Sequence, residues 1–130
     1  MATLTFLSVQ EVIGVHADQV NRYGGSHGLR DLGLLESATF RAQTSFGGVY
    51  LYKTIFDKAA ALGQSIILNH PFIDGNKRTG VVSMMMFLRA NDRKLNVSQD
   101  DLVNMALRIA KEEVQIQEIA AWLKKNSSKI

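Results

Sequence analysis

The chain has 130 residues, 46% hydrophobic and 21% charged, which is typical of a globular protein and suits a single domain over residues 1–130. It has no cysteine, which excludes disulfide bonds and thiolate metal sites. Its 15 basic and 12 acidic residues give a formal net charge of +3. Because the basic residues are scattered and not interleaved with aromatic ones, we expect no direct binding to nucleic acid.

The N-terminal half predicts two helices followed by a loop or hairpin. Its first residues lack the basic region and the long apolar stretch of a signal peptide, so we expect a cytoplasmic location. Ser8 is suited to cap a helix that runs to about Tyr23, and Asp31 is suited to cap a second helix that runs to about Ala42. Residues 44–52 mix glycine with β-forming residues, which predicts a flexible loop or a small hairpin.

The C-terminal half predicts further helices and no membrane-spanning segment. A helix over about residues 54–69 precedes one over about residues 78–91, whose apolar character on nearly all sides places it in the centre of a bundle. After an expected turn at Arg93-Lys94, Ser98 and Asp101 predict a capping box and a fifth helix. With a last helix around Trp122, the expected fold class is all-α, a compact bundle of about six helices with a small flap.

The segment between the two central helices carries polar chemistry that a packed core does not need, so we take it as the candidate active site. Its sequence is His70-Pro71-Phe72-Ile73-Asp74-Gly75-Asn76-Lys77-Arg78-Thr79-Gly80. Pro71 disfavours helical geometry at the residue before it, so the preceding helix should end at or just before His70. The imidazole then lies at a helix end, and Phe72 is the expected anchor of the loop to the core.

The second half of this segment has the residue types of an anion and metal site. Asp74 offers carboxylate oxygens suited to Mg²⁺, and Gly75 lets a ligand approach the main chain. With Asn76 as the N-cap, the following residues form a first helical turn whose free N–H groups bind anions. Lys77 and Arg78 oppose the helix dipole there, so an anionic ligand explains them better than helix stability does. The combination indicates phosphoryl or nucleotidyl transfer.

Residues 70–78 resemble the signature loop of the Fic/Doc superfamily, whose common pattern is His-Pro-Phe-x-x-Gly-Asn-Gly-Arg-x-x-Arg. Lys77 stands where most members have glycine, and Val81 stands where they have the second arginine. Both departures resemble the Doc branch, the death-on-curing toxins. The similarity extends to residues 21–25, 28–31 and 34–38, so it covers most of the chain.

This resemblance implies the Fic/Doc fold and the toxin of a type II toxin–antitoxin system. It implies a kinase that transfers the γ-phosphate of ATP to a Ser or Thr hydroxyl of elongation factor Tu and so blocks translation. His70 would be the general base and Asp74 would hold Mg²⁺. The residues expected to bind the phosphates are Gly75, Asn76, Lys77 and Arg78. The expected partner is a Phd-like antitoxin, whose disordered tail folds on the toxin.

Two alternatives to the kinase interpretation stay open at this stage. The usual Fic activity is transfer of AMP to a protein hydroxyl, which requires the α-phosphate at the point of attack. Lys77 and Val81 alter the site that receives the nucleotide and favour the reversed nucleotide orientation associated with Doc. The other alternative is a catalytically silent module that binds an antitoxin or another partner, against which the intact His70, Asp74 and Arg78 count.

The remaining histidines and aromatic residues receive mainly structural interpretations. His16 falls on the apolar stripe of the first helix, and His27 lies in a glycine-flanked turn. Neither has a metal-ligand spacing to His70. The aromatic residues of the 44–52 segment either form a flap that holds a target protein or pack on the bundle; they are Phe46, Tyr50 and Tyr52.

Overall fold

The structure, a computed structural model, describes residues 3–130. Its helices are α1 (Val9–Tyr23), α2 (Leu32–Phe40), α3 (Ile55–Asn69), α4 (Asn76–Ala90), α5 (Gln99–Glu112) and α6 (Ile116–Lys125). A 3₁₀ turn at Arg41–Gln43 follows α2 directly. Within residues 3–130 no helix is long and apolar enough to span a membrane. The all-α bundle of six helices with a small flap is confirmed.

Two small antiparallel sheets accompany the helices. β1 (Ser45–Phe46) and β2 (Val49–Tyr50) form a hairpin, one of the two outcomes expected for residues 44–52. β3 (Arg93–Leu95) pairs with β4 (Ser127–Lys129), so the expectation of a simple turn at Arg93-Lys94 is wrong. Three-residue strands carry no readable alternation, and their pairing joins parts of the chain that are distant in sequence.

The starts of α1 and α5 follow the sequence signals. α1 begins with a complete capping box, in which Ser8 and Glu11 exchange side-chain and backbone hydrogen bonds. At α5 the box is half formed, because the Ser98 hydroxyl accepts from the Asp101 N–H while the reciprocal bond is not made. The expectation of a full box there is therefore wrong, although α5 starts where predicted.

α3 and α4 form the centre of the bundle, with α3 packed against α2, α4, α5 and α6, and α4 packed against α1, α3 and α5. The inward side chains of α4 include Met84, Phe87 and Leu88, each at most 1% exposed. α3 and α4 share the most extensive helix contact and approach closely at Gly63 and Gly80. A Cβ on Gly80 would lie only 2.9 Å from the carbonyl oxygen of Gly63. This close approach gives Gly80 a packing role and fixes the two helices that the signature loop joins.

Candidate active site at the loop between α3 and α4

His70 lies directly after the last residue of α3, where the sequence places the helix end. It is the C-cap of that helix and has a left-handed backbone, with φ 50° and ψ 56°. This conformation costs a residue with a Cβ about 1 kcal/mol, so surrounding contacts must hold it. The residue is exposed, and its backbone carbonyl takes part in the hydrogen bonds of the loop. The imidazole is thus available at the surface on a backbone fixed by other parts of the chain.

Arg30 and its neighbour provide those contacts from the segment between α1 and α2. The Arg30 guanidinium donates through Nε to the carbonyl oxygen of His70 at 2.7 Å and through Nη2 to that of Asn69 at 2.9 Å. The backbone N–H groups of Arg30 and Asp31 both donate to the Pro71 carbonyl, at 2.8 and 3.0 Å. Three consecutive carbonyls around the candidate base are therefore held from one side.

The middle of the loop is anchored to α1 through His16. Phe72 is 2% exposed and stacks on the His16 ring, with ring centroids 3.9 Å apart and planes 4° apart. His16 Nε2 lies 2.7 Å from the Asp74 carbonyl oxygen. Because a carbonyl can only accept, His16 carries a proton on Nε2 and donates it. Phe72 is thereby confirmed as the anchor, and His16 has the structural role expected of it.

Asn76 does not cap α4 as predicted. The N-cap is Gly75, with φ 77°, and Asn76 is the first residue of the helix. The side-chain amide of Asn76 instead closes the loop: Oδ1 accepts from the Phe72 N–H at 2.9 Å and Nδ2 donates to the Phe72 carbonyl at 3.0 Å. Both ends of the amide are occupied and the residue is buried, so its side chain serves the loop.

The start of α4 leaves its donors free for a ligand. The first backbone bond of the helix runs from the Thr79 N–H to the Gly75 carbonyl, so the N–H groups of Asn76, Lys77 and Arg78 have no partner within the helix. Side chains cap α1, α2, α3 and α5, whereas α4 has neither a side-chain cap nor an acidic residue in its first turn. α6 also lacks a capping side chain, but it has Glu118 in its first turn.

Two cations occupy this same uncapped turn. Lys77 is exposed, and the Arg78 guanidinium carbon lies 4.0 Å from the centroid of the Tyr23 ring. In the part of the chain that the structure describes, neither cation forms an ion pair. Since cations at a helix N-terminus oppose the dipole, the arrangement suits a bound anion.

Asp74 has the orientation and free lone pairs of a single-carboxylate metal ligand. Its Oδ1 accepts from the Gly75 N–H at 2.9 Å and its Oδ2 accepts from the Ser26 N–H at 3.2 Å. The side chain is exposed, and each oxygen retains a further lone pair. Within residues 3–130 no group of three or more His, Cys, Asp or Glu side chains could hold a metal. One carboxylate fits Mg²⁺ held jointly with substrate phosphates and does not fit a cage built from protein alone.

Two surface cavities lie away from this loop. They flank the start of α3, where Asp57 and Gln117 line both. α3 has 15 residues and is therefore roughly 22 Å long, so these cavities are at the far end of the helix from His70. The candidate site is an open surface formed by two helix ends.

The hairpin is exposed at its tip and fixed at its base. Phe46 is 70% exposed, whereas the Tyr52 hydroxyl accepts from Arg41 Nε at 2.9 Å. The Lys58 ammonium is buried below it and donates to the carbonyls of Tyr52 and Lys53 at 2.6 and 3.1 Å. Burial lowers the pKa of Lys58 below its ordinary value. Of the two interpretations given to these aromatic residues, packing describes Tyr52, while Phe46 remains free for a partner.

Three residues at the site were not assigned to it from sequence. Arg30 holds the backbone of His70, His16 holds that of Asp74, and Tyr23 lies against Arg78. All three belong to the N-terminal segment, and two of them act on backbone carbonyls. A side chain that bonds to backbone leaves no pattern in its partner's sequence, so only the family resemblance of residues 21–31 pointed to this region.

Comparisons with known proteins match the same part of the chain. The model of the Fic/DOC family matches residues 6–88, which include the whole loop. The chain is 40% identical over 106 residues to Toxin Doc of Mycolicibacterium smegmatis, a match that covers 78% of this chain and 79% of that protein. It is 28% identical over 119 residues to Protein kinase doc of Escherichia phage P1, covering 92% and 93%.

Proposed function

The chain belongs to the Fic/DOC family, and we propose that it is a type II toxin that acts as a protein kinase. The family resemblance seen in residues 70–78 is confirmed by these matches. The observation that carries the proposal is that one loop joins His70 to the uncapped, cationic start of α4. The names of the two relatives, a toxin and a protein kinase, agree with it.

His70 acts as the general base in this proposal. Its ring is exposed at the end of α3, where the hydroxyl of a protein substrate can reach a ring nitrogen. The ring takes the proton as the hydroxyl oxygen attacks phosphorus, a contribution of about 10²- to 10⁴-fold in rate. The backbone bonds of the loop fix the Cα of His70 before substrate arrives, which limits the reorganisation that accompanies proton transfer.

The first turn of α4 seats the phosphates of ATP. Backbone N–H groups of residues 76–78 donate to phosphate oxygens, and Lys77 and Arg78 offset the charge that develops in the transition state. Gly75, at φ 77°, allows the main chain to come close to the nucleotide. Asn76 contributes its N–H group there, because its side chain is bonded to Phe72. Mg²⁺, held by Asp74 together with the phosphates, neutralises phosphate charge when bound.

The γ-phosphate is the transferred group in this account. Val81 is 2% exposed in the core and offers no charge at the position where the common Fic motif has its second arginine. Lys77 places a cation where that motif leaves space. Both differences favour seating the nucleotide with its γ-phosphate near His70. Adenylyl transfer is the competing activity and would use the same base.

The partners follow from the family and extend the proposal. The protein substrate is elongation factor Tu, modified at a Ser or Thr so that translation stops, and the exposed hairpin tip around Phe46 offers it a contact surface. A Phd-like antitoxin restrains the toxin in the cytoplasm. A silent binding module would need neither an available base nor free helix donors, and both are present here.

The test uses purified protein, elongation factor Tu and ATP labelled at either the γ- or the α-phosphate, followed by intact-mass measurement of the substrate. The expected product carries the γ-label and gains about 80 Da, the mass of a phosphate, with release of ADP. A gain of about 329 Da with the α-label would establish adenylyl transfer instead. The His70→Ala variant serves as the control, and transfer at the full rate by that variant would remove the proposed base.

A further inference from the structure

A cation outside the signature loop is bound to the backbone of the candidate base. The planar guanidinium of Arg30 donates to His70 and Asn69 at once, at 2.7 and 2.9 Å. It reaches across 40 positions of sequence to do so. In residues 3–130 it is in no ion pair, so its donors serve this backbone and not an acidic side chain.

The two carbonyls that Arg30 binds lie at the C-terminal end of α3, where a helix leaves carbonyls unsatisfied. The last four carbonyls of a helix have no partner within it. A cation near this C-terminal end is stabilised by the helix dipole. A helix of this kind commonly ends on glycine, which adopts the left-handed conformation without strain. Here the position is occupied by His70, with φ 50°, so the strain of a Cβ is accepted where the base must be.

From this geometry we infer that Arg30 is a positioning residue for proton transfer by His70. The inference rests on the proposed function, since it assigns Arg30 a role in that same reaction. By holding the carbonyls of Asn69 and His70, on either side of the His70 Cα, the guanidinium fixes the direction of the Cα–Cβ bond from which the imidazole projects. Lysine cannot replace it fully, because an ammonium on a flexible stem lacks the fixed fork that matches two carbonyls.

The alternative role for Arg30 is a helix cap that only adds stability. The two roles differ in what a substitution changes. A cap would lower the melting temperature and leave turnover per folded molecule unchanged. A positioning residue lowers kcat while the KM for ATP stays the same, and its effect disappears when the base it positions is removed.

The experiment measures label transfer from ATP, melting temperature and circular dichroism for Arg30→Gln, Arg30→Lys, His70→Ala and the Arg30→Gln/His70→Ala double variant. Arg108→Gln is the matched control, since Arg108 pairs with Glu112 and Glu118 on α5 and α6. We expect Arg30→Gln to lower kcat by about 10- to 100-fold with less than about a 2-fold change in KM for ATP. The kcat of Arg30→Lys should lie between the values for Arg30→Gln and the original protein. The kcat of Arg108→Gln should equal that of the original protein.

In the His70→Ala background, Arg30→Gln is expected to cause no further loss. The assignment is overturned if Arg30→Gln keeps its full kcat, raises KM alone, or lowers activity by the same factor with and without His70. If Arg30→Gln does not fold, Arg30→Lys decides between these outcomes by the same measurements. A fully active His70→Ala protein would instead refute the proposed base, whereas an inactive one with an unaffected Arg30→Gln refutes only the role of Arg30.

Discussion

The two helix ends that meet at the signature loop differ in whether the protein itself supplies partners for their free backbone groups. At the end of α3 the chain supplies its own partner, because the Arg30 guanidinium satisfies the carbonyls of Asn69 and His70. At the start of α4 it supplies no capping side chain and adds Lys77 and Arg78 to the positive end of the dipole. One end is complete within the protein, and in the proposed function the other is completed by an anion.

The charges at these ends have opposite effects on stability. A cation at a helix C-terminus is favourable and one at an N-terminus unfavourable, each by about 0.3–1 kcal/mol. These charges therefore raise the stability of the protein at the end of α3 and lower it at the start of α4. A local loss of stability of this kind is expected at a binding site, because the bound ligand compensates for it.

The largest effect should follow from removing the proposed base, His70, at the end of α3. His70→Ala is expected to lower the rate of transfer by about 10²- to 10⁴-fold, because only proton transfer is lost. The fold should persist, since the ring is exposed and the contacts of this residue are made by its carbonyl. Label transfer together with circular dichroism checks both points. A folded variant with unchanged turnover would contradict the account of this end.

The next effect concerns Mg²⁺-dependent binding of ATP near the uncapped start of α4. Asp74→Asn should weaken ATP binding in the presence of Mg²⁺ by about 10- to 100-fold, as expected for loss of a charge-assisted contact. Binding without Mg²⁺ should change much less. Calorimetry in the two conditions measures the difference, and Asp18→Asn, an exposed carboxylate on α1 paired with Arg22, is the control. A metal-dependent component that survives Asp74→Asn would exclude this carboxylate.

The distance between the two ends depends on the glycine crossing of α3 and α4. Gly80→Ala should lower the free energy of unfolding by about 1–3 kcal/mol, because its Cβ would lie 2.5 Å from Ile67 Cγ1 and 2.9 Å from the Gly63 oxygen. Gly14→Ala on α1 has open space around it and should raise stability by up to about 1 kcal/mol. Urea unfolding of both variants tests the contrast, and an undiminished Gly80→Ala protein would show that the crossing is not tight.

The smallest effect belongs to Lys58, which, like Arg30, donates to backbone carbonyls. Lys58→Met should destabilise the protein by about 1 kcal/mol at neutral pH, since the carbonyls of Tyr52 and Lys53 lose a donor while a buried charge is removed. Burial lowers the pKa of Lys58 in the folded state, so in the pH range just below its ordinary value of 10.5 the unfolded chain binds more protons there. Raising the pH through that range should therefore increase the stability of the original protein relative to the variant.

Denaturant unfolding of the original protein and Lys58→Met, between about pH 7 and 11, follows this difference across the ordinary lysine pKa. The difference is expected to stay constant at the lower end of the range. It then grows as the folded-state ammonium loses its proton. A difference that falls with rising pH would mean that the pKa of Lys58 is raised.

The sequence predicts the end of α3 and the family better than it predicts the contacts that support the loop. Pro71 alone places the end of α3 at His70, and the loop composition points to the family, because both depend on neighbouring residues. The role of Asn76 could not be deduced, since its amide can cap a helix or, as here, close a loop on Phe72 with similar local sequence. The Arg30 contacts and the β3–β4 pairing join distant segments through backbone atoms, which leave no side-chain pattern.

The most direct test of the central claim is a titration of ¹⁵N-labelled protein with ATP and Mg²⁺, following the backbone amide signals. The account predicts the largest shifts at the N–H groups of Asn76, Lys77 and Arg78, and a weaker response at the bonded N–H groups of Arg30 and Asp31. Saturable shifts at the start of α4 would show that the free helix end receives the nucleotide. Unmoved signals there, with shifts instead around the cavities at the start of α3, would contradict it.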